Sequence, residues 1–328
     1  MTVAILGAGT MGCALATLLA ANNYRVRLWS VESDVVRDIA THHRTKKYLP
    51  DVILDAERIS ATGDLAGALV GADGVVFAVP STAVALVARD ARPFLARGAA
   101  VLCVAKGIDG PSFSPLPAVI ARTLGRARGS VAGLAGPAVA AEFVAGTPTA
   151  VVIAGTLAAT RLWQRAFARP TFTVQRSRDL IGISWAAALK NVYAIGLGMC
   201  DGMAYATNTK ALLMERALAE MVTVLRRVRA RPETAYGLAG LGDLVTTGFA
   251  PSGRNRTFGE MICASADCDI PALLTRMTVE GVAASAVAHA WAECTHTTLP
   301  LLNMIWRVCH EHADPCDTLA QYLEEAYA

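Results

Sequence analysis

Apolar residues in the first half of the chain come in short runs. Residues 2 to 6 and Val26 to Ser30 are brief Val/Leu-rich segments, and Gly74 to Val79 and Ala99 to Val104 repeat the pattern. Val131 to Ala135 and Thr149 to Ala154 continue it. Such runs, bounded by turn residues, predict buried strands of a mostly parallel sheet. Helical patterns lie between them at 11 to 22, 81 to 96 and 114 to 124. Strand–helix alternation to about residue 180 predicts a doubly wound α/β sheet of the Rossmann type.

From Leu180 the pattern changes to helices with almost no strand signal. Leu180 to Cys200 is apolar nearly all round, and Lys210 to Arg229 is amphipathic. Shorter helices are expected over 258–265, 270–277, 282–292, 299–312 and 318–326. The expected organisation is therefore a dinucleotide-binding Rossmann domain over 1–180 and an all-α substrate and catalytic domain over 181–328. The 180–200 stretch is long enough to raise a membrane span. Lys190, Asn191 and its glycines interrupt it, so it reads instead as the central helix of a large domain.

Composition narrows the function classes. The chain has 328 residues, 17% of them charged, with a net charge of +3. So mild a basic balance gives no reason to expect a nucleic-acid partner; its densest cluster, Arg226 to Arg231, reads as the solvated end of a helix. The eight cysteines include no Cys-x-x-Cys pair and sit mostly in apolar stretches, which points to reduced thiols and a cytoplasmic setting. Cys294/His296 and His310/His312 match no zinc spacing, so no metal is expected. The N-terminus lacks a signal-peptide pattern and the C-terminus a peroxisomal address.

Gly7-Ala-Gly9-Thr10-Met11-Gly12 follows a strand and opens a helix. The first Gly allows the turn, the second lets backbone approach a pyrophosphate, and the third lets helix pack on sheet. The free N–H groups at the helix start face the phosphates. At the end of the second strand an acid would bind a ribose 2′-hydroxyl. Ser30 stands there instead, Glu32 comes two positions later, and Arg44, Lys46 and Lys47 follow. This leans to NADP(H) over NAD(H).

Lys190 lies mid-helix, and its neighbours three and four positions away are Ala186, Ala187, Tyr193 and Ala194. No helix-face ion pair explains it. It is either a lysine at a domain edge or a desolvated acid–base in a cavity. Asp201, eleven positions on, returns to about the same helix face. It could hold the ammonium or cap the helix before Gly202. Asp243 in Gly-Leu-Gly-Asp reads as a Gly-flanked acid in a loop. Gly253-Arg254-Asn255-Arg256 reads as an anion-binding cluster or a solvated basic loop before the helix at 258. Lys106 follows the strand ending at Val104, at the sheet edge where open α/β folds bind ligands.

In this order and spacing the chain resembles the NAD(P)-dependent glycerol-3-phosphate dehydrogenase family. The resemblance rests on the Gly7–Gly12 loop, Tyr48-Leu-Pro50, Ala105-Lys106-Gly107, Gly136-Pro137 with Glu142, Lys190-Asn191-Val192 and Asp201-Gly202. It continues through Asn208-Thr209-Lys210-Ala211, Ala239 to Leu244, Gly253 to Arg256 and Val279-Glu280-Gly281. It implies reversible hydride transfer between the nicotinamide and C2 of dihydroxyacetone phosphate, with Lys190 as proton donor and acceptor and Asp201 orienting it. Lys106, Gly136, Asn208, Asp243, Gly253, Arg254 and Asn255 would line the substrate site. Lys106, Arg254, Glu280 and the backbone near Ala140 would touch the cofactor. A homodimer through the helical domain is also implied.

Two positions depart from the family pattern. Ala138 stands where a hydroxyl residue usually follows Gly-Pro, and Met11 where bacterial members often carry Trp. Ala138 leaves open a relative specialised for another phosphate or phosphonate alcohol. A β-hydroxyacid dehydrogenase would need carboxylate recognition in place of the Arg254/Asn255 cluster. A non-catalytic nicotinamide sensor would need no Lys190.

Overall fold

The computed structural model describes residues 1–127, 129–251, 253–264 and 269–327. Ser252, just before the Gly253–Arg256 cluster, Ser265 at the end of the helix expected over 258–265, and Cys268 lie outside the described residues. The chain divides into two compact units, Met1–Lys106 with Ser114–Leu180, and Gly107–Phe113 with Ile181–Ala328. The sequence suggested a single cut near 180. Residues 107–113 group with the helices because Ile108 lies among Trp185, Leu189, Ala284 and Val287, an apolar anchor that seven residues of chain carry with them.

The first unit is an eight-stranded sheet: β1 (Thr2–Leu6), β2 (Arg25–Trp29), β3 (Ile59–Thr62), β4 (Gly74–Phe77), β5 (Ala100–Cys103), β6 (Val131–Ala135), β7 (Thr149–Ala154) and β8 (Phe172–Ser177). Its helices are α1 (Thr10–Ala21), α2 (Ser33–His42), α3 (Leu65–Leu69), α4 (Val84–Ala91), α5 (Leu116–Thr123), α6 (Ala140–Val144) and α7 (Leu157–Phe167). The strand order β3-β2-β1-β4-β5-β6-β7-β8 contains the 3-2-1-4-5-6 order of dinucleotide folds. Alternate residues of β1 serve both faces of the sheet. Val3 and Ile5 pack with Leu15, Leu19 and Trp163, and Ala4 and Leu6 with Phe77, Val84 and Val101. Covered on both faces, the strand reads as a continuous apolar run.

Two strands escaped the hydropathy pattern, β3 and β8, and both lie at the edges of the sheet. β3 reads Ile-Ser-Ala-Thr, and β8 alternates buried and exposed positions until Arg176. Half-solvated edges need few apolar residues, so their signal is weak. β7 also departs from the parallel pattern and runs antiparallel to β6. The connecting helix α6 has only five residues, a rise of about 7.5 Å. A connection this short is enough to join an antiparallel pair.

The second unit is helical: α8 (Leu180–Gly202), α9 (Thr207–Arg227), α10 (Asp243–Phe249), α11 (Arg254–Ala264), α12 (Ile270–Arg276), α13 (Glu280–Thr295), α14 (Pro300–His310) and α15 (Pro315–Tyr327). α8 is long and apolar enough to span a bilayer, yet 89% of its apolar window is buried within the protein. It is a core helix. A glycine on each helix sets how closely α11 crosses it. A Cβ on Gly198 would sit 1.9 Å from the Arg256 carbonyl oxygen, and one on Gly259 2.0 Å from that of Ile195. Gly198→Ala therefore has to push two backbones apart. It should destabilise the protein by about 3 kcal/mol, read as a lower denaturant midpoint at unchanged slope.

Glu220 of α9 ties α8 to α14. Its carboxylate accepts the backbone N–H groups of Leu301 (2.5 Å) and Leu302 (3.0 Å) and the Tyr193 hydroxyl (3.2 Å). Burial pushes its pKa up to about 7, although Leu301, Leu302 and Tyr193 favour the anion. The folded state thus binds this proton more readily than the unfolded chain. Its contribution is full below about pH 4.5 and is lost as pH rises through 7, a change on the order of 3 kcal/mol. Glu220→Gln keeps an acceptor and removes the titration. The unfolding free energy of wild type relative to this variant should fall by about that amount between pH 4.5 and 7.5.

Candidate active site

The carboxyl ends of β1, β2 and β4 are in register, with Leu6 opposite both Trp29 and Phe77. Gly7 follows at φ +117°, and its N–H donates to the Trp29 carbonyl at 2.9 Å. A Cβ there would lie 2.6 Å from the Ala78 carbonyl oxygen, and one on Gly12 1.9 Å from that of Gly7. At Gly9 a Cβ would meet nothing within 4 Å. The first and third glycines are thus required by packing, and the second borders open space. α1 begins at Thr10, preceded by Gly9, with no side-chain cap and no acid in its first turn. This cradle fits a dinucleotide pyrophosphate. Met11 packs against the core beside it.

Lys106 follows β5, and Gly136 (φ +118°) follows β6, both at the carboxyl edge of the parallel strands. Ala140 starts α6 and is buried. Ala138 packs on the apolar core. Ser30 is buried, and its hydroxyl accepts the Glu32 N–H at 3.1 Å. The Glu32 carboxylate accepts the Tyr48 phenol at 2.5 Å and pairs with the Lys47 ammonium. Lys47 and Tyr48 hold that carboxyl below its usual range.

In the second unit Lys190 is buried on α8. Its ammonium donates to the Thr247 hydroxyl at 2.5 Å and pairs with the Asp243 carboxylate at 3.1 Å. Thr247 also donates to Asp243 at 3.4 Å. The side chains of Lys190 and Asp243 are 7% and 3% exposed, so the pair is almost fully desolvated. Asp243 is not in a loop, as the sequence suggested. It is the first residue of α10, after a wide helical turn at Leu238–Gly242. Gly240 permits that turn, because a Cβ there would meet the Ala235 carbonyl oxygen at 2.1 Å.

The orienting role expected of Asp201 is corrected. Asp201 pairs with Lys210 and, at 2.7 Å, with Arg256. Eleven residues of helix span about 16 Å along the axis, farther than the two side chains reach. Sharing a face is not proximity. Asp201 joins α8, α9 and α11, and the carboxylate beside Lys190 is Asp243. Thr247 was missed altogether. Its only sequence signal is its position four residues after Asp243 on a common helix face.

Arg254 is the first residue of α11 and is exposed, so the Arg/Asn cluster opens that helix instead of preceding one at 258. The Gly253 carbonyl accepts the Thr257 N–H at 2.8 Å, and a Cβ on Gly253 would lie 2.6 Å from the Thr247 carbonyl oxygen. The start of α11 is thus held against the residue that binds Lys190. Asn255 faces inward. Its amide donates to Asn191 at 2.9 Å and its oxygen accepts the Gly281 N–H at 2.9 Å. Asn191 in turn donates to Glu280 at 3.3 Å. These side chains knit α8, α11 and α13 together beside Lys190. Asn208 lies exposed in the first turn of α9.

A dinucleotide cradle in one unit and a desolvated lysine–carboxylate pair in the other are the parts of a nicotinamide-dependent oxidoreductase acting on a CH–OH group. The profile described as the NAD-dependent glycerol-3-phosphate dehydrogenase N-terminus matches residues 2–160, and that of its C-terminus matches residues 179–320. The chain belongs to this family. It is 38% identical to a glycerol-3-phosphate dehydrogenase [NAD(P)+] of Anaeromyxobacter sp. (strain K), over 96% of this chain and 95% of that one. It is 34% identical to one of Syntrophotalea carbinolica, over 99% and 98%. The crystal structure of glycerol-3-phosphate dehydrogenase from Coxiella burnetii superimposes with a TM-score of 0.92 at 33% identity, covering 98% of both chains.

Proposed function

We propose that this protein catalyses the reversible NAD(P)H-dependent reduction of dihydroxyacetone phosphate to sn-glycerol 3-phosphate, with Lys190 moving the proton. The observation that carries the chemical assignment is the buried Lys190–Asp243–Thr247 cluster. The bound nicotinamide supplies or accepts the hydride. Lys190 donates a proton to the oxygen developing at C2 in reduction and takes it back in oxidation. Asp243 keeps the ammonium in place, and Thr247 fixes its direction. Held this way in a dry site, the cation meets developing negative charge without solvent reorganisation.

Unit 1 is read as the dinucleotide-binding part and unit 2 as the catalytic part. Arg254 at the start of α11 and Asn208 at the start of α9 suit an anionic phosphate, since both stand at positive helix ends. Gly253 brings the backbone close there, while Asn255, with its amide engaged, supports Asn191 and Glu280. Lys106 and Gly136, on the strand-end edge of unit 1, keep their assignment to ligand binding, with Ala140 and Glu280 toward the cofactor. Asp201 holds Arg256 and Lys210 in place. NADP(H) is favoured slightly over NAD(H), on the neutral Ser30. The seven described cysteines are free thiols, which suits a reducing cytoplasm; burial pushes Cys13, Cys103, Cys200 and Cys309 up to about 12. A homodimer through the helical unit is the assembly proposed.

The test is NAD(P)H oxidation with a panel of phosphorylated ketones. Dihydroxyacetone phosphate should be the best substrate, and absence of turnover with it under either cofactor sinks the proposal. Because Ala138 offers no hydroxyl, the panel includes the phosphonate analogue. A higher kcat/KM for that analogue would establish the specialised reading instead.

A further inference from the structure

Glu32 immediately precedes α2 just beyond β2, at the strand end where dinucleotide folds meet the adenosine ribose. A bare carboxylate here would bind a 2′-hydroxyl and repel a 2′-phosphate. In this chain it is not bare. The Tyr48 phenol donates to one oxygen at 2.5 Å, and the Lys47 ammonium pairs with the other. Asp34 adds negative charge close by, working against the ionisation that Lys47 and Tyr48 favour. Lys47 therefore masks a local excess of negative charge. Its side chain is 54% exposed, with its ammonium 5.2 Å from the centre of the Tyr48 ring. The Thr10 hydroxyl donates to the Tyr48 carbonyl at 3.2 Å. That bond ties this segment to the first turn of α1, which forms the pyrophosphate cradle.

We propose that Lys47 is the specificity-determining residue for the cofactor's 2′ position. It masks Glu32 and exchanges that carboxylate for a 2′-phosphate, so that the site admits both dinucleotides. The proposal rests on the dinucleotide reading above. When a 2′-phosphate arrives, its charge competes for the Lys47 ammonium, while Tyr48 keeps its hold on the Glu32 carboxylate. When a 2′-hydroxyl arrives, Glu32 accepts its hydrogen bond and Lys47 stays in place. The exchange works because the Lys47 side chain is half open to solvent, whereas the Tyr48 backbone is anchored through Thr10.

Dissociation constants for NADPH and NADH, read from nucleotide fluorescence without substrate, test this. Lys47→Ala should weaken NADPH binding by about tenfold or more and leave NADH within about twofold. Glu32→Gln should weaken NADH by about threefold and leave NADPH as tight or tighter. Lys47→Arg should keep both affinities. An equal loss for both nucleotides in Lys47→Ala, or no loss for NADPH, overturns the proposal while leaving the dinucleotide reading intact. A wild-type protein that binds neither nucleotide overturns both.

Discussion

Lys190→Met lowers kcat for dihydroxyacetone phosphate reduction by about a thousandfold and leaves NADPH and NADH affinities within about twofold. The magnitude is what a positioned general acid contributes. The split follows from the proposed division of roles, with the nucleotide at the Gly7–Gly12 loop of the first unit and the lysine on α8 of the second. Methionine keeps the length of the side chain and removes the ammonium, so packing on α8 is disturbed little. It leaves Asp243 buried without its cation, a carboxylate that then takes up a proton instead of remaining charged. Thermal unfolding alongside the kinetics separates this from collapse. A variant with the wild-type rate removes Lys190 from the mechanism.

Removing the other half of the pair has a different signature. Asp243→Ala leaves the ammonium buried in a site that excludes water, and breaking a buried pair in this way costs about 3–5 kcal/mol. A loss of that size is a large share of the stability of an ordinary domain, and it appears in chemical denaturation. Asp243→Asn is milder, because the amide still accepts from Thr247 and Lys190. Its kcat falls while KM for the nucleotide does not, and the limb of the pH profile where reduction fails moves to lower pH. The sign follows from the charge removed. Without a neighbouring anion the ammonium is less favoured, so reduction loses its proton donor at lower pH. A purely structural Asp243 would change stability and leave the pH profile where it was. The matched substitution Asp201→Asn should lose the ties to Lys210 and Arg256 without moving that profile, because Asp201 does not reach Lys190.

The fold was legible where burial on both faces of the sheet forces unbroken apolar runs, as in β1 and β4. It was not legible at the edges. β3 and β8 are half-solvated and carry ordinary polar residues, and nothing in the β7 segment itself marks it as antiparallel. In the helical unit, the apolar surround of Lys190 was visible because helical periodicity places its neighbours. The role expected of Asp201 came from the same periodicity and was wrong. Helix angle brought it to the right face, but helix rise carried it out of reach.

The Gly7–Gly12 loop and Lys190 are properties of the chain read locally: a strand, a turn and a helix in one case, a charge inside an apolar helix in the other. Each could be singled out without its neighbours because backbone φ and helical spacing are set within a few residues. The partner of Lys190 could not. Asp243 and Thr247 come to it only because Gly240 lets the chain wind into α10, while Gly253 packs the start of α11 against Thr247. Likewise Glu32 looked like a misplaced acid until folding put Lys47 and Tyr48 on its two oxygens. Sequence established which groups need a partner, since a desolvated charge cannot stand alone. Tertiary structure decided which partner, since pairing depends on a few ångströms between segments far apart in the chain.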